Sequence, residues 1–175
     1  MPIRLRRGYY IMVSDIAQEA GKLLRQRGLT LGVVESATGG LISQMITAVP
    51  GSSDYYQGSV TSYSNRVKTD VVGVKKDTLA EYGAVSPQVA EEMAAGGRKL
   101  LGVDICLSDT GIAGPGGATP DKEVGFFYLG LAHSGGAFSR EHVFSGDRQQ
   151  NRQAAAETAL EWLKEYLLTL SEADG

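Results

Sequence analysis

The stretch LGVVESATGGLISQMITAV, Leu31–Val49, decides how the chain is built. Leu31 to Glu35 is short, apolar and rich in valine, as a buried strand requires. Ser36 to Thr38 then supplies small and hydroxyl residues. From Gly39 to about Ala48 the apolar residues return at helical spacing, until Pro50-Gly51-Ser52-Ser53 closes the segment as a turn cluster. Glycine-rich turns between a strand and a helix serve three different purposes: a phosphate cradle, a seat for a nucleophilic serine, or a tight corner.

Upstream, Ser14 caps a helix whose apolar residues Ile16, Ala17, Ala20, Leu23 and Leu24 keep helical spacing until Gly28. Downstream, Tyr55–Ser62 is strand-like, Ser64–Gly73 is a short polar helix or turn, and Leu79–Tyr82 is another helical piece. Ser86-Pro87 opens an amphipathic helix with Glu91 and Glu92 early, Arg98 and Lys99 late, and Gly102 behind it. Val103–Ser108 lacks alternation and reads as a strand buried on both faces. The following TGIAGPGGATPDKE (Thr110–Glu123) is too rich in Gly and Pro for helix or sheet, and loops of that length are usually functional. Val124–Ala132 and Ala137–Phe144 form a hairpin through His133-Ser134-Gly135-Gly136. A last helix over Asp147–Leu170 carries one stripe of Ala155, Thr158, Ala159, Trp162, Leu163, Tyr166 and Leu170. Strands alternating with helices and a late hairpin predict a three-layer α/β/α sandwich with a mixed, mainly parallel sheet of about five strands. One domain is expected over 13–172, behind an extension over 1–12 in which Met12 offers an alternative start.

Composition narrows the function. The chain has 175 residues, 42% of them apolar and 21% charged, and a net charge of −3. That balance favours neither nucleic acid nor an anionic membrane as partner; Arg4, Arg6 and Arg7 read as a solvated tail. The single cysteine, Cys106, excludes an intrachain disulfide and fits a reducing cytoplasm. Its apolar setting, VDICLS, predicts a buried inert thiol. His133 and His142 lack metal-ligand spacing with each other and with the cysteine, so no structural or catalytic zinc is expected. No run approaches the roughly 20 apolar residues of a membrane span, and no apolar core of a signal peptide follows the N-terminal arginines.

In open α/β sheets, sites form beyond the carboxyl ends of strands. Three polar loops leave strands in that sense: ESATGG, TGIAGPGG, and the segment Tyr63 to Lys68. No lysine follows Gly40 and no G-x-G-x-x-G follows the first strand, which argues against a triphosphate or dinucleotide loop. The Gly39-Gly40 amides, at the start of a helix, remain suited to a single phosphate or an oxyanion. Ser36 at the same junction fits a nucleophile. Its base cannot be a hairpin histidine, which leaves a desolvated lysine, Lys68. Each residue also has a plain reading: Ser36 as a turn serine or cap, Lys68 as a surface lysine, Tyr63 as a strand-end aromatic, Asp109-Thr110 as a loop cap. Glu35 reads as a second acid–base carboxylate or as a structural hydrogen-bond acceptor. Arg148 and Arg152 open the last helix, where cations oppose the dipole, and this points to an anion in front of them.

Taken together, ESATGG, GSSDYYQGSVTSYSNRVKTDVVGV, GAVSPQVAEEMA, TGIAGPGGATPDKEVGFFYLGLA and FSGDRQQNR resemble the CinA C-terminal domain, the nicotinamide-nucleotide amidohydrolase (NMN deamidase) family, in its standalone form. The resemblance runs in order from about Ser14 to Leu170. It implies a cytoplasmic, metal- and cofactor-free hydrolase that converts nicotinamide mononucleotide to nicotinic acid mononucleotide and ammonia in pyridine nucleotide recycling, usually as a homodimer. It places the nucleophile on Ser36, Tyr63 and Lys68 in the catalytic set with Lys68 as base, and substrate contacts on Thr110 and Arg148. Thr38, Gly39, Gly40, Asn65, Gly111 and Gly114, from the same loops, are expected to bind substrate. Ala37 and Arg66-Val67 depart from the family pattern without removing a catalytic atom. The alternative is an inactive CinA-like module that binds a nucleotide or a partner. A phosphate-ester hydrolase is disfavoured, because no carboxylate cluster for a divalent metal is present.

Overall fold

The computed structural model describes residues 14–170; the basic N-terminal cluster, the 1–12 extension and Met12 fall outside the described residues. In chain order come α1 (Asp15–Arg27), β1 (Leu31–Glu35), α2 (Leu41–Thr47), a 3₁₀ turn (Ser52–Asp54) and β2 (Tyr56–Thr61). Next are α3 (Asn65–Val67), which runs directly into one turn of π-helix (Lys68–Val72), then α4 (Lys76–Tyr82) and α5 (Pro87–Leu101). The chain closes with β3 (Ile105–Gly111), β4 (Phe126–His133), β5 (Gly136–Val143) and α6 (Arg148–Thr169). The five strands lie in the order β2-β1-β3-β4-β5. β2, β1 and β3 are parallel, and the β4–β5 hairpin adds antiparallel to β3.

Strand alternation builds the layers. Leu31, Val33, Ile105 and Leu107 pack with α1, α2 and α6 in the larger core, which also takes Leu24, Ile42, Ala159 and Leu163. Val34 and Cys106 point the other way and pack with Val89 and Met93 of α5. Burial pushes the Cys106 thiol up to about 12, an inert group as its apolar setting predicts. Parallel pairing sets Leu31 beside Ile105 and Val33 beside Leu107. Two residues further on, the same face of the sheet delivers Glu35 and Asp109 to the carboxyl edge side by side.

Most of the helix punctuation follows the expected chemistry, but Ser14, at the N-cap of α1, makes no side-chain capping bond. Gly28 ends α1 in the left-handed conformation, Ser86 accepts the Val89 amide at the start of α5, and Asp147 with Gln150 forms a capping box on α6. Several boundaries differ from the sequence reading: α4 begins three residues earlier, at Lys76, and the ends of β2, β4 and β5 are shifted by one or two residues. β3 continues through Gly111, so Thr110 and Gly111 are paired with Tyr128 and Phe127 and the glycine-rich loop begins after them. The polar segment after β2 forms one turn of π-helix, and the backbone of that turn packs against a glycine. A Cβ on Gly96 would lie 2.0 Å from the Val72 carbonyl oxygen, so α5 can approach the turn only there. Among the described residues no helix is long and apolar enough to cross a membrane.

Gly97 makes a similar close approach to β1, where a Cβ would lie 2.2 Å from Val34 Cγ2. Gly97→Val is expected to lower stability by about 1–3 kcal/mol through overpacking, read as a fall in the urea midpoint at unchanged slope.

Candidate active site

The turn after β1 and the π turn after β2 meet at the carboxyl edge. Lys68, 2% exposed, extends its Nζ to 2.9 Å from Ser36 Oγ and 2.6 Å from the Ser62 carbonyl oxygen. The backbone fixes this reach. The Lys68 amide donates to Ser64 O, and the Lys68 carbonyl accepts from Gly73 and Val74. Burial pushes the Lys68 ammonium below its ordinary range, while the charge of Asp109 pulls it back up. A desolvated amine within hydrogen-bond reach of a serine hydroxyl is the arrangement that nucleophile activation by lysine requires.

Ser36 is held from behind. Asp109 Oδ2 accepts the Ser36 amide and Asp109 Oδ1 accepts the Thr38 amide, both at 3.0 Å. The Ala37 amide between them donates to no acceptor among the described residues, and Ala37 lines the same cavity as Ser36. Glu35 sits beside Asp109 and accepts at 2.5–3.1 Å from Thr38 Oγ1, the Gly40, Ile42 and Ser43 amides, and Ser43 Oγ. From α6, Arg152 donates to the Ala37 and Thr38 carbonyls. The turn is thus gripped through its amides by Asp109 and through its carbonyls by Arg152.

The cavity over Ser36 has a volume of about 210 Å³ and is open on one side. Lys68, Thr110 and Gly111 line it beside Ser36, and Tyr63, Asn65 and Arg148 form its rim. Arg148 donates to the Gly114 carbonyl and to Tyr63 Oη, at 2.8 and 3.2 Å. Its far wall is Ala84-Val85, tied down by Thr110 Oγ1, which donates to Ala84 O, and by Lys122, which donates to Val85 O.

A sequence profile described as the CinA C-terminal domain matches residues 13–167. The chain belongs to this family. The CinA-like protein of Geobacter metallireducens is 44% identical over 170 residues, which are 95% of this chain and 41% of that protein. The CinA-like protein of Syntrophomonas wolfei is 51% identical over 144 residues, 82% of this chain and 35% of that protein. The chain therefore spans about two fifths of the length of the curated relatives it matches. Among solved structures, the competence/damage inducible protein CihA from Agrobacterium tumefaciens superposes with a TM-score of 0.82 at 36% identity, covering 89% of this chain and 97% of that one. A competence damage-inducible protein A from Klebsiella pneumoniae gives 0.87 at 29% identity, covering 90% and 98%.

In this CinA domain the residues expected at the site separate into two groups. Ser36, Lys68, Tyr63, Asn65, Thr110, Gly111 and Arg148 converge on one cavity. Tyr63 stands at the rim, 64% exposed, with its hydroxyl held by Arg148 and bonded to neither Ser36 nor Lys68. Thr38, Gly39, Gly40 and Gly114 are placed elsewhere. Thr38 is fully buried between the two carboxylates. The Gly40 amide is taken by Glu35, and Gly39 and Gly40 line a separate depression with Arg152 and Gln153. Glu35 is the reason: it folds back over the start of α2 and occupies the place a phosphate or oxyanion would take. Gly114 is buried, and its carbonyl anchors Arg148. Arg148 and Arg152 face carbonyl oxygens rather than an anion.

The Ala84-Val85 wall escaped the sequence reading, as did the roles of Asp109, read there as a loop cap, and of Arg152, read there as facing an anion. For Asp109 a signal was present: an acidic residue closing a buried strand needs a reason to be there. Both histidines lie away from the cavity, on β4 and β5. Among the described residues no cluster of three or more His, Cys, Asp or Glu could hold a metal ion. Glu35→Ala strands three backbone donors of the turn and α2, and is expected to cost about 3 kcal/mol or more, seen as a lower urea midpoint and faster amide exchange at Gly40, Ile42 and Ser43.

Proposed function

We propose that the domain hydrolyses the carboxamide of nicotinamide mononucleotide, giving nicotinic acid mononucleotide and ammonia. The observation that carries this reading is the buried Lys68 Nζ at 2.9 Å from Ser36 Oγ on the floor of an open cavity. Ser36 Oγ adds to the amide carbon as the neutral Lys68 amine takes its proton. The oxyanion forms against the Ala37 amide, the donor that directly follows the nucleophile. Collapse expels the nitrogen, and Lys68 returns the proton so that it leaves as ammonia. Water then attacks the Ser36 ester, with Lys68 again as base, and the carboxylate product departs.

Size and charge support the substrate. A cavity of about 210 Å³ is smaller than the roughly 300–1,000 Å³ of sites that enclose a whole drug-sized ligand. It suits the carboxamide-bearing ring and leaves the ribose phosphate at the rim. There Arg148, already oriented by Gly114 O, has N–H groups to offer a phosphate. Exposed Tyr63 offers a face for the pyridinium. The homodimer implied by the resemblance belongs to the same proposal, and light scattering that returned the mass of one chain would remove it.

The deciding measurement is ammonia release from nicotinamide mononucleotide. Ser36→Ala and Lys68→Met are each expected to lower kcat by at least about 10²–10⁴-fold with unchanged circular dichroism; a fully active Ser36→Ala chain would sink the mechanism. Arg148→Ala is expected to raise KM by about tenfold with kcat nearly unchanged. Activity should rise with pH as Lys68 loses its proton, with a midpoint below the ordinary lysine value because burial lowers it. The stability sign agrees: the unfolded chain binds the extra proton between the lowered value and the ordinary one, so stability also rises with pH across that window.

A further inference from the structure

Two fully buried carboxylates meet on a single hydroxyl behind Ser36. Thr38 Oγ1 lies 2.7 Å from Glu35 Oε2 and 2.5 Å from Asp109 Oδ2. A hydroxyl has one proton. It can donate to one of these oxygens, and the other short oxygen–oxygen contact needs a proton from the carboxyl side. Neither carboxylate is ion-paired among the described residues. We propose that Asp109 keeps a proton at neutral pH and passes it to Thr38 Oγ1 while Thr38 donates to Glu35, so that the pair pins the Ser36 turn yet presents one negative charge, not two, to Lys68.

The donor count assigns the proton. Besides Thr38, Glu35 accepts from four groups, the Gly40, Ile42 and Ser43 amides and Ser43 Oγ, so donors already fill its lone-pair sites. Asp109 has only the Ser36 and Thr38 amides. As an acid it keeps both: Oδ1 accepts from Thr38, and Oδ2 still has a lone pair for Ser36 while its proton goes to Thr38 Oγ1. Burial raises Asp109 to about 6 even with Thr38 donating to it. Once the Thr38 proton goes to Glu35, that support is gone and the carboxyl rises further. The charged groups around the pair are Lys68 from the π turn and Arg152 from α6; α2 contributes only Ser43 and backbone amides.

The consequence falls on the base. A carboxylate within about 4–6 Å holds a lysine protonated by about 1–3 pKa units, and an acidic Asp109 releases that hold. Asp109 is then a positioning residue for the nucleophile and a neutral neighbour for the base. The meaning for catalysis rests on the amidohydrolase reading, whereas the proton count does not.

The test is NMR on the intact chain, independent of activity. With ¹³C-labelled aspartate, the Asp109 carboxyl, assigned through its own backbone, is expected to show the chemical shift of an acid at pH 7 and to ionise only above it. A carboxylate shift at pH 7 would overturn the proposal. With ¹⁵N-labelled lysine, the Lys68 titration midpoint is expected to be the same in Asp109→Asn as in the wild type, because a neutral group replaces a neutral group. A midpoint lower by about one unit or more in Asp109→Asn would show that the wild-type group carried a charge. Absent ammonia release beside an acidic Asp109 would remove the amidohydrolase reading alone.

Discussion

The grip of Asp109 on the amides of Ser36 and Thr38 is the contact on which the rest of the site depends. It exists because β1 and β3 are parallel neighbours in a register that brings one strand-end acid beside the other. A slip of either strand by one residue would turn its acid to the α5 face and release the turn. The apolar residues Leu31, Val33, Ile105 and Leu107 resist that slip, since the same shift would empty the larger core. Packing that stabilises the fold therefore also orients the serine, and the two cannot be separated by mutation of the strands.

Around this contact the protein arranges few charges at short range. Lys68 is buried and next to a hydroxyl and a carbonyl, not against a carboxylate oxygen. The acids nearest to it are directed away, into the amides of the turn and of α2. Arg152 is similarly taken by carbonyls. An ion pair between Lys68 and either acid would give a stable lysinium and a poor base. Here the two acids are satisfied by amides and hydroxyls of the turn and of α2, and the amine is left against a hydroxyl and a carbonyl.

Much of this was legible in the chain. Strand and helix alternation, the glycine caps of α1 and α5, the serine cap of α5 and the convergence of three strand-end loops follow from local patterns. Ser36 and Lys68 were candidates from their loops and Arg148 from its place at the start of α6, whereas Thr110 came from the family resemblance. What stayed hidden depends on contacts that no local spacing encodes. Glu35 folds back five residues to the Gly40 amide, which turns an apparent anion seat into a filled cap. The π turn packs its Val72 carbonyl against Gly96, 24 positions away in the chain by their numbers. Asp109 looked like the cap of its own loop, and its partners lie more than 70 residues earlier.

Those separations have a meaning for how the protein comes into being. Ser36 is tied to Lys68 across 32 positions, to Asp109 across 73, and its turn to Arg152 across 115. During synthesis the serine and the lysine emerge early, yet the brace on the Ala37 and Thr38 carbonyls arrives only with α6, the last of the described elements. A nascent chain therefore carries Ser36 and Lys68 before the full brace on the Ser36 turn can form, and that brace is complete only once α6 packs.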